Sequence, residues 1–268
     1  MATKPSNYYQ YWEDFVSQWY KGTTKAILGW SNPDIAPALC NMSGGTPSSL
    51  YIPEPWWGND GSQPLHSVVI NFNPGCGGKE QERGVVPYRS SYANDIVNYK
   101  NEPDPKKWPN NTANWHKTRR ANPVQTAIGL MPSLENHLSV ELIPWHTAGV
   151  DNNNYIPYLE HNIKAVYEHS ICFAAHESGR IQNDHLRNVV LLKMSGNFTL
   201  YLLEKLEKAY GWKRQRIVCT GVVDGGNYLE FSLDEWPEVR FISIWGRYTQ
   251  NNFPVKHMKD IFTKLGIL

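Results

Sequence analysis

The sequence of 268 residues is short of cysteine, short of charge and without long apolar runs, and each shortage excludes something. Its 4 cysteines (Cys40, Cys76, Cys172, Cys219) are widely spaced and form no CxxC pair, so neither a zinc ribbon nor a thioredoxin motif is present, and reduced intracellular thiols are expected. Charged residues make up 19%, below the roughly 25% usual for globular domains, and 26 Lys+Arg against 25 Asp+Glu leave a net charge of +1. That balance excludes a polybasic nucleic-acid coat, so any contact with a polyanion has to be local. No stretch approaches about 18 uninterrupted apolar residues, and Met1-Ala2-Thr3-Lys4-Pro5 does not open a signal peptide; a soluble, cytoplasmic protein without membrane contact is expected. The sequons at Asn41, Asn110 and Asn197 are then chance matches. Cofactor signatures are missing too. No G-x-G-x-x-G follows a strand, Gly75-Cys76-Gly77-Gly78-Lys79 lacks the spacing and hydroxyl of a phosphate-binding P-loop, and His176, Glu177 and His185 do not make H-E-x-x-H. Neither a cofactor nor a metal is expected.

Aromatic residues, by contrast, are plentiful: 11 Trp, 15 Tyr and 8 Phe. Tyr8, Tyr11, Trp12, Phe15 and Trp19 recur at helical spacing after Ser6, a candidate N-cap, and predict an opening helix with an aromatic face. Residues 31–64 are rich in Pro, Gly, Ser and Asn and predict an irregular surface wrap carrying an exposed pair, Trp56 and Trp57. Residues 65–72 are an almost continuous β-branched run, the pattern of a strand buried on both faces. Further strands are predicted over 138–143, 189–193, 216–220 and 239–245, with helices over 156–167, 198–210 and from Pro254 to Leu265. Repeated strand, loop and helix units imply an α/β fold, a three-layer α/β/α sandwich with a central, mostly parallel sheet. Residues 1–64 are expected to pack on a core of 65–268 as one decorated domain. Residues 99–120 carry six Lys or Arg against Glu102 and Asp104, a local basic excess.

In such sheets ligands bind outside the carboxyl ends of the strands. Those ends carry Asn73-Pro74-Gly75, Pro144-Trp145-His146, Ser195-Gly196-Asn197 and Gly246-Arg247-Tyr248. The run Val-Val-Ile-Asn-Phe-Asn-Pro-Gly (68–75) resembles the first motif of the uracil-DNA glycosylase superfamily, closest to the mismatch-specific and single-strand-selective branches. Gly84-Val85-Val86-Pro87-Tyr88 follows at a similar distance to a G-V-P-F segment of the latter. Residues 191–197 resemble the third strand of that family, and 240–253 occupy the place of its C-terminal base-and-DNA loop.

The resemblance implies a base-excision glycosidase acting on a flipped base. Asn73 would position the water that attacks the anomeric carbon, Pro74 and Gly75 would let the backbone approach the nucleotide, and Tyr88 would stack on the base. The departing base anion needs donors aimed at its oxygen, and Arg247 is placed to supply them. Three departures stand out. Asn71 replaces the leading Gly of the motif. Glu141 stands where the family has its base-reading Asn and, when ionised, accepts hydrogen bonds only. The C-terminal His-Pro-Ser is replaced by residues 245–251. Glu141 and His146 are the further substrate-binding candidates, while Lys117, Arg119, Arg120, Tyr248 and Gln250 are candidates for contact with single- or double-stranded DNA. Lys213, Arg214 and Arg216 read as solvated charges unless the fold brings them to the crevice rim. A monomer is expected. Two other readings stay open: a non-cleaving nucleotide or nucleic-acid binding module of the same fold, and a hydrolase of a small nucleoside-like metabolite.

Overall fold

A computed structural model describes residues 5–20, 26–31, 53, 55–59, 61–72, 122–131, 136–145, 155–212, 216–223, 226–246 and 255–268. The chain divides into two units that interleave along the sequence, Met1–Trp56 with Phe72–Pro109 and Glu141–Ile171, and Trp57–Asn71 with Asn110–Val140 and Cys172–Leu268.

The first unit opens with helix α1 (Tyr8–Tyr20). Its cap is Asn7 rather than Ser6: the Asn7 side-chain oxygen accepts from Gln10 N–H at 3.1 Å, and its carbonyl accepts from Tyr11 N–H. Tyr8, Trp12, Phe15 and Val16 form the buried stripe at helical spacing. A two-stranded hairpin follows, β1 (Ala26–Ile27) and β2 (Trp30–Ser31). Leu28 and Gly29 both have positive φ, 46° and 93°, as a tight hairpin turn demands. Leucine is poorly suited to that region. Its carbonyl is held there by the Tyr11 hydroxyl, which donates to it at 2.7 Å. Further along the chain this unit holds helices α3 (Tyr155–His161) and α4 (Ile163–Ala165), the latter leading into a π-helical segment (Val166–Ile171). Trp12, Phe15, Trp30, Trp145, Tyr155, Tyr158 and Tyr167 are fully buried, so the aromatic richness of the sequence is spent on this core.

The second unit is organised by a seven-stranded sheet in the order β3-β5-β4-β6-β9-β8-β7, comprising β3 (Trp56–Gly58), β4 (Ser67–Asn71), β5 (His137–Glu141), β6 (Val189–Leu192), β7 (Arg216–Val223), β8 (Gly226–Leu233) and β9 (Trp236–Gly246). The pairs β4–β6 and β6–β9 are parallel, with Val68 opposite Val190 and Leu191 opposite Ile242. The bonds His66 N–H to Asn136 O and Ile143 N–H to Phe72 O advance together along the chain, which makes β4–β5 parallel as well. Asn59 N–H to His137 O and Glu141 N–H to Pro55 O run in opposite order, so β3 is an antiparallel edge. At the other end β9, β8 and β7 form an antiparallel meander. The sheet thus has the parallel centre expected of the α/β class read from the sequence, with antiparallel strands added at its flanks.

Every residue of β4, β5 and β6 is buried, so both faces of the centre are covered. Helix α2 (Asn122–Ala127) packs on α7 (Val255–Lys264), which also meets β7 and β8; α5 (Cys172–Ser178) packs on β4 and β6, and α6 (Gly196–Tyr210) on β8 and β9. Ser195 caps α6 by accepting from Phe198 N–H, and Gly211 ends it with a left-handed φ of 67°. Trp56 is buried in an edge strand rather than exposed in a surface wrap. The strand β8 went unread because Glu230 interrupts its apolar pattern. That carboxylate is buried and neutralised by Arg240, whose Nε donates to Oε1 at 2.6 Å while Nη2 donates to Oε2 at 3.2 Å and to the Leu265 carbonyl at 2.8 Å.

Arg240→Ala should lower stability by about 2–3 kcal/mol, because it leaves the carboxylate buried and uncompensated. The double change Glu230→Gln with Arg240→Met should recover most of that loss. Urea denaturation of the three proteins measures both effects; an Arg240→Ala midpoint equal to that of the parent contradicts this account.

Candidate functional site

The carboxyl end of β4 is the point from which a site can be built, because Phe72 is the last described residue before Asn73-Pro74-Gly75. Its carbonyl accepts two hydrogen bonds within the first unit, from Ile143 N–H at 3.1 Å and from the Tyr155 hydroxyl at 2.8 Å. The rings of Phe72 and Tyr155 also meet edge to face, their centroids 6.2 Å apart. The position and direction in which the chain leaves β4 are thus fixed by a strand-end backbone donor and a buried phenol.

The segment 141–145 is buried throughout and is pinned along its length. Leu142 O accepts from the Ser170 hydroxyl at 3.1 Å, Ile143 N–H reaches Phe72, and Trp145 Nε1–H donates to the Tyr158 hydroxyl at 2.6 Å. The Tyr158 hydroxyl in turn donates to Ser31 O at 2.5 Å. Asn162 completes the chain, accepting from Ser31 N–H at 2.8 Å and donating to Tyr158 O at 2.9 Å. Trp145 is therefore tied through Tyr158 to β2 and to Asn162.

Glu141 begins this segment and is fully buried. Burial holds the Tyr155 hydroxyl well above the ordinary tyrosine range, and the negative charge of Glu141 pushes it further the same way. Tyr155 is therefore a permanent donor at neutral pH, committed to Phe72 O.

In the second unit the parallel pair β4–β5 carries a polar row inside the sheet. Ser67 Oγ and His137 Nδ1 lie 2.8 Å apart, and Asn71 Nδ2 donates to Ser139 Oγ at 2.6 Å. All four residues are buried. Asn71, which stands where the glycosylase motif has Gly, is committed to Ser139, giving the substitution a packing role.

Of the candidate residues named from the sequence, Glu141 alone falls among the described residues. Asn73, Pro74, Gly75, Tyr88, Lys117, Arg119, Arg120, His146, Arg247, Tyr248 and Gln250 lie outside them, as do the basic stretch 99–120 and Lys213 and Arg214. Tyr155 was not anticipated; only its spacing from Tyr158 on an apolar helix face was available as a signal. Among the described residues no group of three or more His, Cys, Asp or Glu is arranged to hold a metal ion, and no helix is long and apolar enough to cross a membrane. Comparison of the chain with protein-family models, with curated proteins and with solved structures returns no match.

One further buried titratable group belongs to the first unit. His169, in the π-helical segment, stacks on Tyr11 with centroids 4.0 Å apart and meets Trp12 edge to face. Its Nδ1 has no hydrogen-bond partner among the described residues. Burial lowers its pKa from 6.5 to about 4. The unfolded chain therefore binds a proton near pH 6.5 that the folded chain refuses until about pH 4. The stability that neutral His169 confers is complete above pH 6.5 and is lost as the pH falls from there to about 4, a loss of about 3 kcal/mol. His169→Phe should flatten the stability profile in that window, as followed by urea midpoints at stepped pH. A profile unchanged from the parent rules this role out.

Proposed function

We propose that the chain is a uracil-DNA-glycosylase-like protein of three-layer α/β/α architecture that receives a flipped base at the carboxyl ends of β4 and β5 and hydrolyses its N-glycosidic bond. The observation that carries this reading is the fixed Phe72 carbonyl. A neutral amide such as Asn73 acts through position, not basicity, and gains from an anchored strand end, since misplacement by about 1 Å can cost about 100-fold in rate.

In this mechanism Asn73 orients the attacking water, Pro74 and Gly75 admit the sugar, Tyr88 covers one face of the base, and Arg247 stabilises the charge developing on the departing base. His146 meets the edge of the base, and Glu141, fully buried, bears on it from within the protein. When ionised Glu141 accepts hydrogen bonds only, which argues against strict uracil specificity. Lys117, Arg119, Arg120, Tyr248 and Gln250 hold the strand.

Single- and double-stranded oligonucleotides carrying uracil, hypoxanthine or damaged bases test the proposal through the abasic sites formed. Excision should fall about 100-fold or more in Asn73→Ala, and Glu141→Gln should change which base is preferred. No excision of any base, or full activity in Asn73→Ala, would overturn the catalytic reading. The buried acceptor Glu141 and the missing His-Pro-Ser favour, as a second reading, a binding module that does not cleave; salt-sensitive oligonucleotide binding without excision is its signature.

A further inference from the structure

We infer that the chain pairs with a second copy of itself along the outer edge of β7, joining two seven-stranded sheets into one. The inference concerns the second unit alone and rests on no catalytic reading. It puts a dimer in place of the monomer expected from the sequence.

β7 is the last strand of the sheet, with β8 as its one neighbour among the described residues. Of the six large apolar side chains exposed among those residues, three stand on this strand: Ile217, Val218 and Val222, exposed to 47%, 58% and 72%. Proteins usually blunt such an edge with a charge, a proline or a bulge. Between Ile217 and Val223 there is neither charge nor proline, and the bulge, where Val218 has no partner on β8, lies near the first end of the strand. Residues 219–223 are left as a regular, neutral edge.

The register with β8 identifies the open backbone groups. Val223 pairs with Gly226 across two residues, and such a closing pair exchanges both its hydrogen bonds. Alternation then commits Cys219, Gly221 and Val223 to β8 and turns the N–H and C=O of Thr220 and Val222 outward. The side chains of Thr220 and Val222 share one face and are both exposed.

These groups fit a second β7 running antiparallel to the first. With a two-fold axis at Gly221, Thr220 of each copy meets Val222 of the other, and each meeting exchanges both N–H···O bonds. Gly221 faces its own copy as the close, non-hydrogen-bonded pair, with no side chain to obstruct it. The fold already keeps that position bare, because Tyr228 lies where a Cβ on Gly221 would stand. Charge selects the same order. The sequence is basic before and at the start of β7 (Lys213, Arg214, Arg216) and acidic directly after its end (Asp224), so antiparallel copies set unlike charges together at both ends. Parallel copies would set like against like. One strand is a small interface, and the dissociation constant should lie between about 1 and 100 µM.

Sedimentation equilibrium of the full chain from about 1 µM to 1 mM tests this, with the average mass rising toward twice that of one chain. Amide hydrogen exchange locates the interface: the Thr220 and Val222 amides should slow as concentration rises, while that of Gly221, already bonded to β8, should not change. Val222→Pro removes an outward donor and no bond to β8; Val222→Lys keeps every backbone group and puts a charge on the edge. Each should raise the dissociation constant about tenfold or more with the urea midpoint of the monomer close to that of the parent. A chain that stays monomeric throughout this range overturns the inference, whatever other protein binds the edge. So does a dimer in which the Thr220 and Val222 amides exchange as in the monomer, or whose affinity is unchanged in both variants.

Discussion

Residues 141–145 are shut away from water, so every polar group they carry has to find its partner inside the protein. An unmet buried donor or acceptor costs about 1–3 kcal/mol, comparable with a large share of the stability of a domain. The first unit is arranged around that demand. Trp145 needs an acceptor and finds Tyr158; Tyr158 then needs one and finds Ser31; Ser31 is held by Asn162. The hairpin, helix α3 and the strand-end segment are joined by this single sequence of donors and acceptors. The same rule sets Tyr155 on Phe72 and so fixes the chain where it enters Asn73-Pro74-Gly75.

The fold was legible where burial is simple. The stripe Tyr8, Trp12, Phe15 and Val16 reads directly as a helix face, and the run Val68-Val69-Ile70 as a strand covered on both sides. It became illegible where a polar residue is buried with a partner distant in sequence. Glu230 hides β8 because its neutralising Arg240 lies on the next strand. Trp56 looked exposed among prolines and glycines, yet the backbone beside it bonds to β5. Antiparallel flanks are likewise set by pairing between distant segments, which periodicity does not record.

The candidate site was legible in part for a similar reason. Asn-Pro-Gly after a buried strand is a local signal in the sequence, whereas the Tyr155 that anchors Phe72 at the end of that strand comes from a helix far along the chain. Glu141, at the end of β5, is fully buried.

The strand order also governs how the chain assembles. The meander β7-β8-β9 joins strands that are neighbours in sequence and closes with short loops, whereas β4 lies between β5 and β6, both made much later. Closing long loops before any contact rewards it is slow. During synthesis β4, an apolar strand with two free edges, has to wait for partners the ribosome has yet to supply. Its early exposure makes this stretch the part of the nascent chain most in need of shielding from aggregation.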